Sequence, residues 1–360
     1  MTDAPGNHRI GWFADRVDQG MASIRLRMLS PIEILSARGF DVAACPPQPD
    51  ARDYHTVVFS KAFSGRAVRF AQAVREAGGR IVFDICDNVF ASSYRPDQGR
   101  RKARLRAMLE IADVITVATD ELARQITAAV PGLIVPCHVL PDMIPPLSLV
   151  PDEKLAQTER KHLDHLDQFL ARHPQALHCV WFGKSQGRLA GLSHLGRIVD
   201  LLRQRQRKSP TTLTIINNQR WRYALHRVGW RGVPVHFLPW SLGSFGAALA
   251  RHEIALIPLE QNAYTLGKTI NRPATALLAG LGVVADTIPA YEELSRFIFL
   301  DDWERGLDHY AQIKPSSDQR VAGGRAHVQE RYSPQVVGDA WQDLLGLRDH
   351  PQSRNTGKQV

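Results

Sequence analysis

Two cations follow a short apolar segment in the second half of the chain, and their placement suits phosphate binding. Residues 254–259 predict a buried strand, and the polar loop 260–271 comes next. Lys268 lies in this loop, and Arg272 stands at the start of a helical stretch that ends near Gly280. A helix N-terminus offers unpaired N–H groups and partial positive charge, so added cations favour phosphate or pyrophosphate there. A solvated basic loop is the alternative interpretation.

Four further residues are candidates for the same site. Asn262 lies in the loop, and Asn271 could either cap the helix or contact a ligand. Gly183 follows a strand predicted at 178–182, where the lack of a side chain would let the backbone approach a phosphate closely. Lys184 adds a charge beside it. The G-x-G-x-x-G spacing is absent around Gly183, so a dinucleotide fingerprint is not predicted.

Polar residues also follow two predicted strands in the first half of the chain. Asp87 and Asn88 come after the strand at 80–84. A carboxylate there could accept the proton of a hydroxyl group or orient that group, and a loop acid that caps a turn is the alternative. Gly20 and Arg25 follow the first predicted strand. The glycine would let its loop approach a ligand, and Arg25 could point into the same space.

These residues need a scaffold that brings strand ends together, and the sequence predicts one. Apolar strand segments alternate with helical stretches along the chain, which predicts an α/β fold with doubly wound parallel sheets. Open sheets of this kind bind ligands outside the carboxyl ends of their strands. The proline-rich stretch 141–151 predicts a linker. The expected domains are 1–141 and 142–333, and a disordered tail is expected at 349–360.

The segment around Lys268 resembles the donor loop of bacterial GT-B glycosyltransferases, in particular the retaining, nucleotide-sugar-dependent kind found in surface-polysaccharide pathways. The similarity rests on the following order of residues: Asn262, Lys268-Thr269, Arg272 and then Ala276-x-x-Ala279-Gly280-x-Gly282-Val283-Val284. The family usually has a Glu where this chain has Thr275, and that Glu commonly holds the ribose of the donor. The chain departs from the family pattern at this position.

The first half of the chain is similar to the same family. Residues 22–27 resemble its first helix, which often carries an Arg-x-Arg pair, and residues 112–123 match a common segment. Residues 82–88 resemble its strand-ending acidic motif, with Asn88 in place of the last acid. Residues 334–346 resemble the terminal helix, which crosses back to complete the first domain.

The resemblance implies a GT-B fold in which two Rossmann-like domains face each other across a cleft. The second domain would bind the nucleotide-sugar donor through Gly183, Lys184, Asn262, Lys268, Asn271, Arg272 and Thr275. The first domain would bind the acceptor near Gly20, Arg25 and Asn88, with Asp87 as the candidate catalytic residue. The family generally needs no bound metal and no cofactor besides the nucleotide sugar as substrate, and transfer would proceed with retention.

The composition is that of a globular protein with anionic partners. The chain has 360 residues, enough for two domains, of which 44% are hydrophobic and 22% charged. Its net charge of +9 favours nucleotide diphosphates, anionic membrane surfaces or nucleic acid. The four cysteines are scattered without zinc-site spacing and are expected to be reduced thiols. The polar start lacks a signal-peptide core and no apolar run of about 18 residues occurs, so the cytoplasm is the expected compartment.

A basic segment in the first half could contact a membrane. Its cations are Arg100, Arg101, Lys102 and Arg104. They could bind anionic lipid headgroups or a polyprenyl-diphosphate acceptor, and a solvated helix face is the alternative. The segment has no interleaved aromatic residues, and the chain shows no nucleic-acid-binding motif, so nucleic acid is not an expected partner.

The sequence therefore predicts a glycosyltransferase that moves a sugar from a nucleotide-sugar donor to a saccharide, lipid-linked or other hydroxyl acceptor in surface polysaccharide or glycoconjugate synthesis. Two alternatives remain open at this stage. One is a degenerate GT-B protein that binds or scaffolds without catalysis, since Thr275 and Asn88 depart from the family pattern. The other is a GT-B nucleotide-sugar epimerase.

Overall fold

The computed structural model describes residues 9–91, 98–147, 150–184, 191–227 and 229–348. The tail predicted to be disordered, 349–360, lies outside these ranges. Within them, the strands pair in parallel and form two six-stranded sheets with helices between successive strands. This arrangement confirms the predicted α/β fold with two doubly wound sheets.

The strands lie at the following positions: β1 (Ile10–Phe13), β2 (Val42–Ala44), β3 (Thr56–Ser60), β4 (Arg80–Ile85), β5 (Val114–Val117), β6 (Cys137–Val139), β7 (Leu177–Phe182), β8 (Thr211–Ile216), β9 (Val235–Leu238), β10 (Ile254–Ile257), β11 (Gly282–Ala285) and β12 (Phe299–Leu300). The α-helices are α1 (Ala22–Ile24), α2 (Ser30–Ala37), α3 (Gly65–Glu76), α4 (Gln98–Ile111), α5 (Asp120–Ala129), α6 (Gln157–Ala171), α7 (Gly196–Arg205), α8 (Arg220–Arg227), α9 (Phe245–Leu249), α10 (Asn271–Leu278), α11 (Trp303–Gln312), α12 (Gln319–Tyr332) and α13 (Pro334–Leu345).

The central strands are buried along their length and mostly apolar, because helices cover both faces of each sheet. β3 and β10 are buried at every position. Near-continuous apolar runs of this kind are typical of parallel sheets, whereas a sheet with one wet face shows alternation. The apolar runs in the sequence therefore predict these strands well.

Each sheet reverses its strand order at one point, and each reversal defines a crevice. The first sheet has the order β2-β1-β3-β4-β5-β6, so the chain moves outward in opposite directions from β1 and β3. The second has the order β12-β11-β10-β7-β8-β9, with the reversal between β7 and β10. Open α/β sheets bind ligands outside the carboxyl ends of the strands at such a switch point. The segments that follow these four strands are therefore where a site is expected.

The first helical stretch is not one continuous α-helix. A π-helical turn, Arg25–Leu29, separates α1 from α2. The turn carries Arg27, whose buried guanidinium pairs with Asp84 and Asp142. One π-helical turn changes the spacing of the apolar residues very little, so it cannot be recognised from the sequence pattern alone.

The last helix packs on the first sheet. α13 contacts α2, and Trp341 packs edge-on against Trp12 of β1 with ring centroids 5.2 Å apart. Both indoles are fully buried, and Val337 joins them in the same apolar cluster. The end of the described chain therefore completes the helical layer over the first sheet.

We expect Trp341→Ala to lower the free energy of unfolding by about 3–5 kcal/mol, because it removes a buried indole and leaves a cavity beside Trp12. Urea unfolding followed by circular dichroism measures the loss. Val336→Ala is the matched control, since Val336 lies on the same helix with 43% of its surface exposed, and it should change stability by less than about 0.5 kcal/mol. Equal unfolding curves for the two variants would contradict the packing role of α13.

Candidate functional site

Three of the predicted donor residues meet at the switch point of the second sheet. Gly183 follows β7, while Lys268 and Arg272 follow β10, and these two strands are neighbours. Gly183 has a φ of 154°, a value that residues with a side chain rarely adopt. A Cβ at this position would lie 3.8 Å from Cδ of Arg272. The Nδ2 group of Asn217 donates to the Gly183 carbonyl at 2.5 Å and fixes this turn. The glycine therefore keeps the backbone close to the Arg272 side chain.

The loop before α10 is organised by one asparagine. Oδ1 of Asn262 accepts hydrogen bonds from the backbone N–H groups of Tyr264 and Thr265, both at 3.0 Å. The Thr265 hydroxyl accepts from the Asn262 N–H at 3.0 Å and donates to the Glu260 carbonyl. The Asn262 side chain thus shapes the loop that carries Lys268, a role that an Asx-turn commonly has.

The Lys268 ammonium reaches across to the first sheet. It donates to Oδ1 of Asp87, which follows β4, and to the Tyr264 hydroxyl at 2.9 Å. It also lies over the Tyr264 ring, 4.1 Å from the centroid. An ammonium has three N–H donors, so these two partners leave one for a ligand.

Asp87 binds a second lysine that the sequence did not single out. Lys61 follows β3 and donates to Oδ2 of Asp87, so the carboxylate joins Lys61 of the first sheet to Lys268 of the second. Lys61 has φ of 50°, uncommon for a residue with a side chain. The one feature of the sequence that could have identified Lys61 is its position directly after a buried strand, at the carboxyl edge of the sheet. We call Lys61, Asp87 and Lys268 the lysine bridge.

The charges of the lysine bridge stabilise one another. Burial alone would raise the pKa of Asp87, but the two ammonium groups outweigh it and hold this pKa well below its usual range. Burial would likewise lower the pKa of both lysines, yet the Asp87 carboxylate raises each above its usual range. At neutral pH the bridge therefore holds two cations and one anion, with net charge +1.

A buried network lies beside the bridge. The Arg27 guanidinium donates to both oxygens of Asp84 at 2.5–3.0 Å and to Oδ1 of Asp142 at 3.0 Å. Burial would lower the pKa of Arg27, but Asp84 and Asp142 raise it above its ordinary value. Nδ2 of Asn271 donates to the other Asp142 oxygen at 2.6 Å. The network therefore connects the first sheet, the predicted linker and the first residue of α10.

Asn271 does not cap α10. Ile270 holds the N-cap position, and no side chain caps this helix. Within the described part of the chain, Oδ1 of Asn271 is buried without a hydrogen-bond partner. A buried acceptor left unpaired is costly, and a ligand hydroxyl or amide that donated to it would remove that cost. Of the two roles considered for Asn271, the structure does not show the cap, and ligand contact stays a prediction.

The side chain of Arg272 has a buried neighbour. The buried Tyr291 side chain lies beside Arg272, and burial raises the pKa of its hydroxyl although the nearby Arg272 and Lys268 cations oppose this. Lys184 is exposed beside Gly183, and Thr275 lies half-buried one turn into α10. Both therefore stand near the cations, although no side-chain hydrogen bond fixes either residue within the described ranges.

The predicted acceptor residues lie in two different places. Asn88 is 5% exposed, and its Nδ2 donates to Gln125 and to the Ala263 carbonyl of the donor loop. Its amide thus ties the two sheets together. Arg25 donates to the Gln19 carbonyl at 2.5 Å and lies 5.3 Å from the ring centroid of Trp240.

Gly20 is close to the same tryptophan. A Cβ on Gly20 would lie 3.9 Å from Trp240 and 3.0 Å from the Asp18 carboxylate. Gly20 and Arg25 therefore stand where the loop after β1 meets the segment after β9. In the described ranges, no cluster of three or more His, Cys, Asp or Glu side chains could hold a metal ion. Within these ranges, no helix is long and apolar enough to span a membrane.

We expect Asp87→Asn to lower the free energy of unfolding at pH 7 by about 2–3 kcal/mol, because it leaves two neighbouring ammonium groups without their counterion. The folded pKa of Asp87 lies below the unfolded value of about 3.9, so its contribution is complete above that pH and is lost as the pH falls toward the folded pKa. Between about pH 4 and pH 2 the variant should therefore lose stability less steeply than the wild type.

Urea unfolding at pH 7, 4 and 2.5 provides the measurement. Asp164→Asn, on the exposed surface of α6, is the control and should follow the wild type at every pH. Parallel pH dependences for wild type and Asp87→Asn would show that the lysine bridge does not stabilise the fold.

Comparisons with known proteins agree on the fold. No family model matches the chain, and no curated protein matches it in sequence. Among solved structures, a glycosyltransferase from Rickettsia africae is similar with a TM-score of 0.63 and 8% identity, covering 93% of this chain and 97% of that one. WaaG, a glycosyltransferase involved in lipopolysaccharide biosynthesis, has a TM-score of 0.57 and 14% identity, with coverage of 94% and 100%.

A third similar structure contains a nucleotide sugar. The trehalose-6-phosphate enzyme from E. coli, bound with UDP-2-fluoro glucose, has a TM-score of 0.57 and 13% identity, covering 81% of this chain and 73% of that one. These identities are low, so the likeness concerns the arrangement of the two sheets. The chain has the GT-B fold of glycosyltransferases.

Proposed function

We propose that the protein is a glycosyltransferase that moves a sugar from a nucleotide-sugar donor to a hydroxyl acceptor. One observation carries the proposal. Gly183, Lys268 and Arg272 come together at the switch point of the second sheet, in a fold whose solved relatives include a complex with UDP-2-fluoro glucose. Backbone, ammonium and guanidinium at one crevice form a site suited to a diphosphate.

The chemistry follows from where the charge develops. When the bond between the anomeric carbon and the diphosphate breaks, negative charge grows on the leaving oxygen. Lys268 and Arg272 would stabilise this charge. Lys268 is already held by hydrogen bonds to Asp87 and Tyr264. Arg272 lies beside the buried Tyr291. Cations that are positioned before the reaction lower the barrier without reorganisation. The acceptor oxygen forms the new bond to the anomeric carbon, and its proton leaves with the diphosphate or to solvent.

Asp87 would act by positioning rather than as the base. A general base works best when its pKa is near the working pH. The pKa of Asp87 is instead held low by Lys61 and Lys268, both of which bond to it. We therefore assign Asp87 the task of aiming Lys268 at the donor and Lys61 at the acceptor side.

The remaining donor residues have separate proposed tasks. Asn271 would accept a hydrogen bond from the donor through its unpaired Oδ1. Asn262 would shape the loop, Lys184 would approach the phosphates, and Thr275 would replace the Glu that contacts ribose in the resembled family. Acceptor binding would use Gly20 and Arg25. Retention and a role in surface polysaccharide synthesis follow from the resemblance, and peripheral membrane contact follows from the basic segment 100–104. All three stay predictions.

The two alternative functions gain no support from the geometry. A degenerate protein has no need to keep two cations at one crevice, and here Lys268 is held by hydrogen bonds to Asp87 and Tyr264. An epimerase would act on the donor without an acceptor. The nucleotide titration below and an assay for donor turnover with no acceptor present distinguish the three.

We expect one of UDP, GDP, dTDP, ADP and CMP to raise the midpoint of thermal unfolding. At about 100 times its Kd, the bound nucleotide should add about 2.7 kcal/mol to the free energy of unfolding. Lys268→Ala and Arg272→Ala should each weaken that Kd by about tenfold or more, because each removes a charge-assisted hydrogen bond to the diphosphate. Thermal shift and isothermal titration calorimetry give the two quantities.

Lys314→Ala is the matched control, since Lys314 is exposed and lies outside the crevice. It should leave the nucleotide affinity unchanged. Using both Lys268→Ala and Arg272→Ala separates loss of the ligand contact from loss of the lysine bridge, which only the first variant disrupts. Absence of any nucleotide effect on the folded wild type would overturn the proposed function.

A further inference from the structure

A cavity of about 220 Å³ opens at the switch point of the first sheet. Its wall comes from the segments after β1 and β3, which are adjacent strands, and from α4. The charged side chains that line it are Asp15, Arg16, Lys61, Arg101 and Arg104. Four of these five are cations, so the cavity is strongly basic.

Three of the five charges already have partners. The Asp15 carboxylate accepts from the Ser64 hydroxyl and from the N–H groups of Phe63 and Ser64, both at 3.1 Å. Arg16 pairs with Asp18 at 2.8 Å, and Lys61 pairs with Asp87. Arg16 and Lys61 are therefore each paired with a carboxylate, whereas Asp15 keeps its negative charge because its hydrogen-bond donors are neutral.

The two arginines of α4 are different. No carboxylate in the described ranges pairs with Arg101 or Arg104, although both are partly buried. The Arg101 guanidinium stacks on the Phe63 ring at 5.1 Å from its centroid, which fixes it at the cavity wall. Two like charges held side by side repel, and an anion placed between them would remove that repulsion.

This placement separates the basic segment into two groups. Arg101 and Arg104 line the cavity, whereas Arg100 on the same helix is exposed and Lys102 is not part of the wall. From the sequence, lipid headgroups, a polyprenyl-diphosphate acceptor and solvent were all possible surroundings for this segment. In the structure, two of its cations line the cavity at the carboxyl edge of the sheet.

We propose that this cavity binds a phosphoryl group of the acceptor, held by Arg101 and Arg104. The proposal rests on the proposed function. A guanidinium presents paired N–H groups that match phosphate oxygens, so two arginines suit this ligand. The volume admits a small group such as a phosphate and adjoining atoms, while a complete acceptor would extend into the open cleft.

The cavity is joined to the donor crevice by the lysine bridge. Lys61 lines the cavity and contacts Asp87, which contacts Lys268 at the donor side. An acceptor anchored by its phosphate would therefore place its neighbouring hydroxyl groups beside Lys61, close to where the sugar leaves. The phosphate would anchor the acceptor and would take no part in forming the new bond.

The test is calorimetric titration of the full chain, first saturated with the nucleotide that binds it, so that the donor crevice is occupied. The probe is glycerol 3-phosphate. We expect saturable binding that Arg101→Gln with Arg104→Gln weakens by at least about tenfold, since charge-assisted hydrogen bonds are lost. The matched control is Arg100→Gln with Lys102→Gln, which removes the same charge from the same helix and should change the Kd by less than about twofold.

A second arm identifies the source of the phosphate. Vesicles that contain phosphatidic acid present the same phosphate on a lipid, and sedimentation measures their binding. If Arg101→Gln with Arg104→Gln loses vesicle binding but not glycerol 3-phosphate binding, a lipid-linked acceptor is indicated. If the same double variant loses only glycerol 3-phosphate binding, a soluble acceptor is indicated. Both results support the cavity. Equal losses in the two double variants, or binding of neither probe, would overturn the proposal.

The experiment keeps this proposal separate from the proposed function. Circular dichroism first establishes that both double variants are folded. If nucleotide binds but neither phosphate probe does, the cavity proposal fails and the transferase proposal stands. If no nucleotide binds, the transferase proposal fails, and titration of the ligand-free protein still decides whether Arg101 and Arg104 form an anion site.

Discussion

The structure depends on one carboxylate held between two lysines. Asp87 follows β4 of the first sheet and accepts hydrogen bonds from Lys61, which follows the neighbouring β3, and from Lys268, which follows β10 of the second sheet. Without the carboxylate, the two ammonium groups would repel each other in a partly buried space. With it, a cation is fixed on each side of the cleft. The same contact therefore holds the sheets together and positions the group proposed to bind the donor diphosphate.

The strand order of the two sheets explains why these charged side chains lie close together. In each sheet, the strand order reverses between two neighbouring strands, and the segments after those strands line a crevice. At the second sheet this crevice contains Gly183, Lys268 and Arg272. At the first it contains the cavity lined by Arg101 and Arg104. The bridge lies between the two crevices, which is the arrangement that transfer between a donor and an acceptor requires.

The sequence predicts the two sheets well and the contacts between them poorly. Buried parallel strands produce apolar runs, and a glycine or a cation directly after such a run can be recognised locally. Lys61 was missed because its partner, Asp87, is 26 residues away in the chain, and nothing in its own segment points to a carboxylate. Asn88 was expected near the acceptor, but its amide bonds across to the donor loop, a contact visible only after the two sheets are placed. The buried pairing of Arg27 with Asp84 and Asp142 has the same origin.

The most direct test of this account is a crystal structure of the protein with the diphosphate nucleotide that stabilises it. We expect a diphosphate outside the ends of β7 and β10, with one oxygen about 3 Å from Nζ of Lys268 and another near the guanidinium of Arg272. Asp87 should still contact Lys61. A nucleotide bound elsewhere on the protein, with Lys268 and Arg272 not contacting it, would contradict the central claim that the lysine bridge positions the donor site.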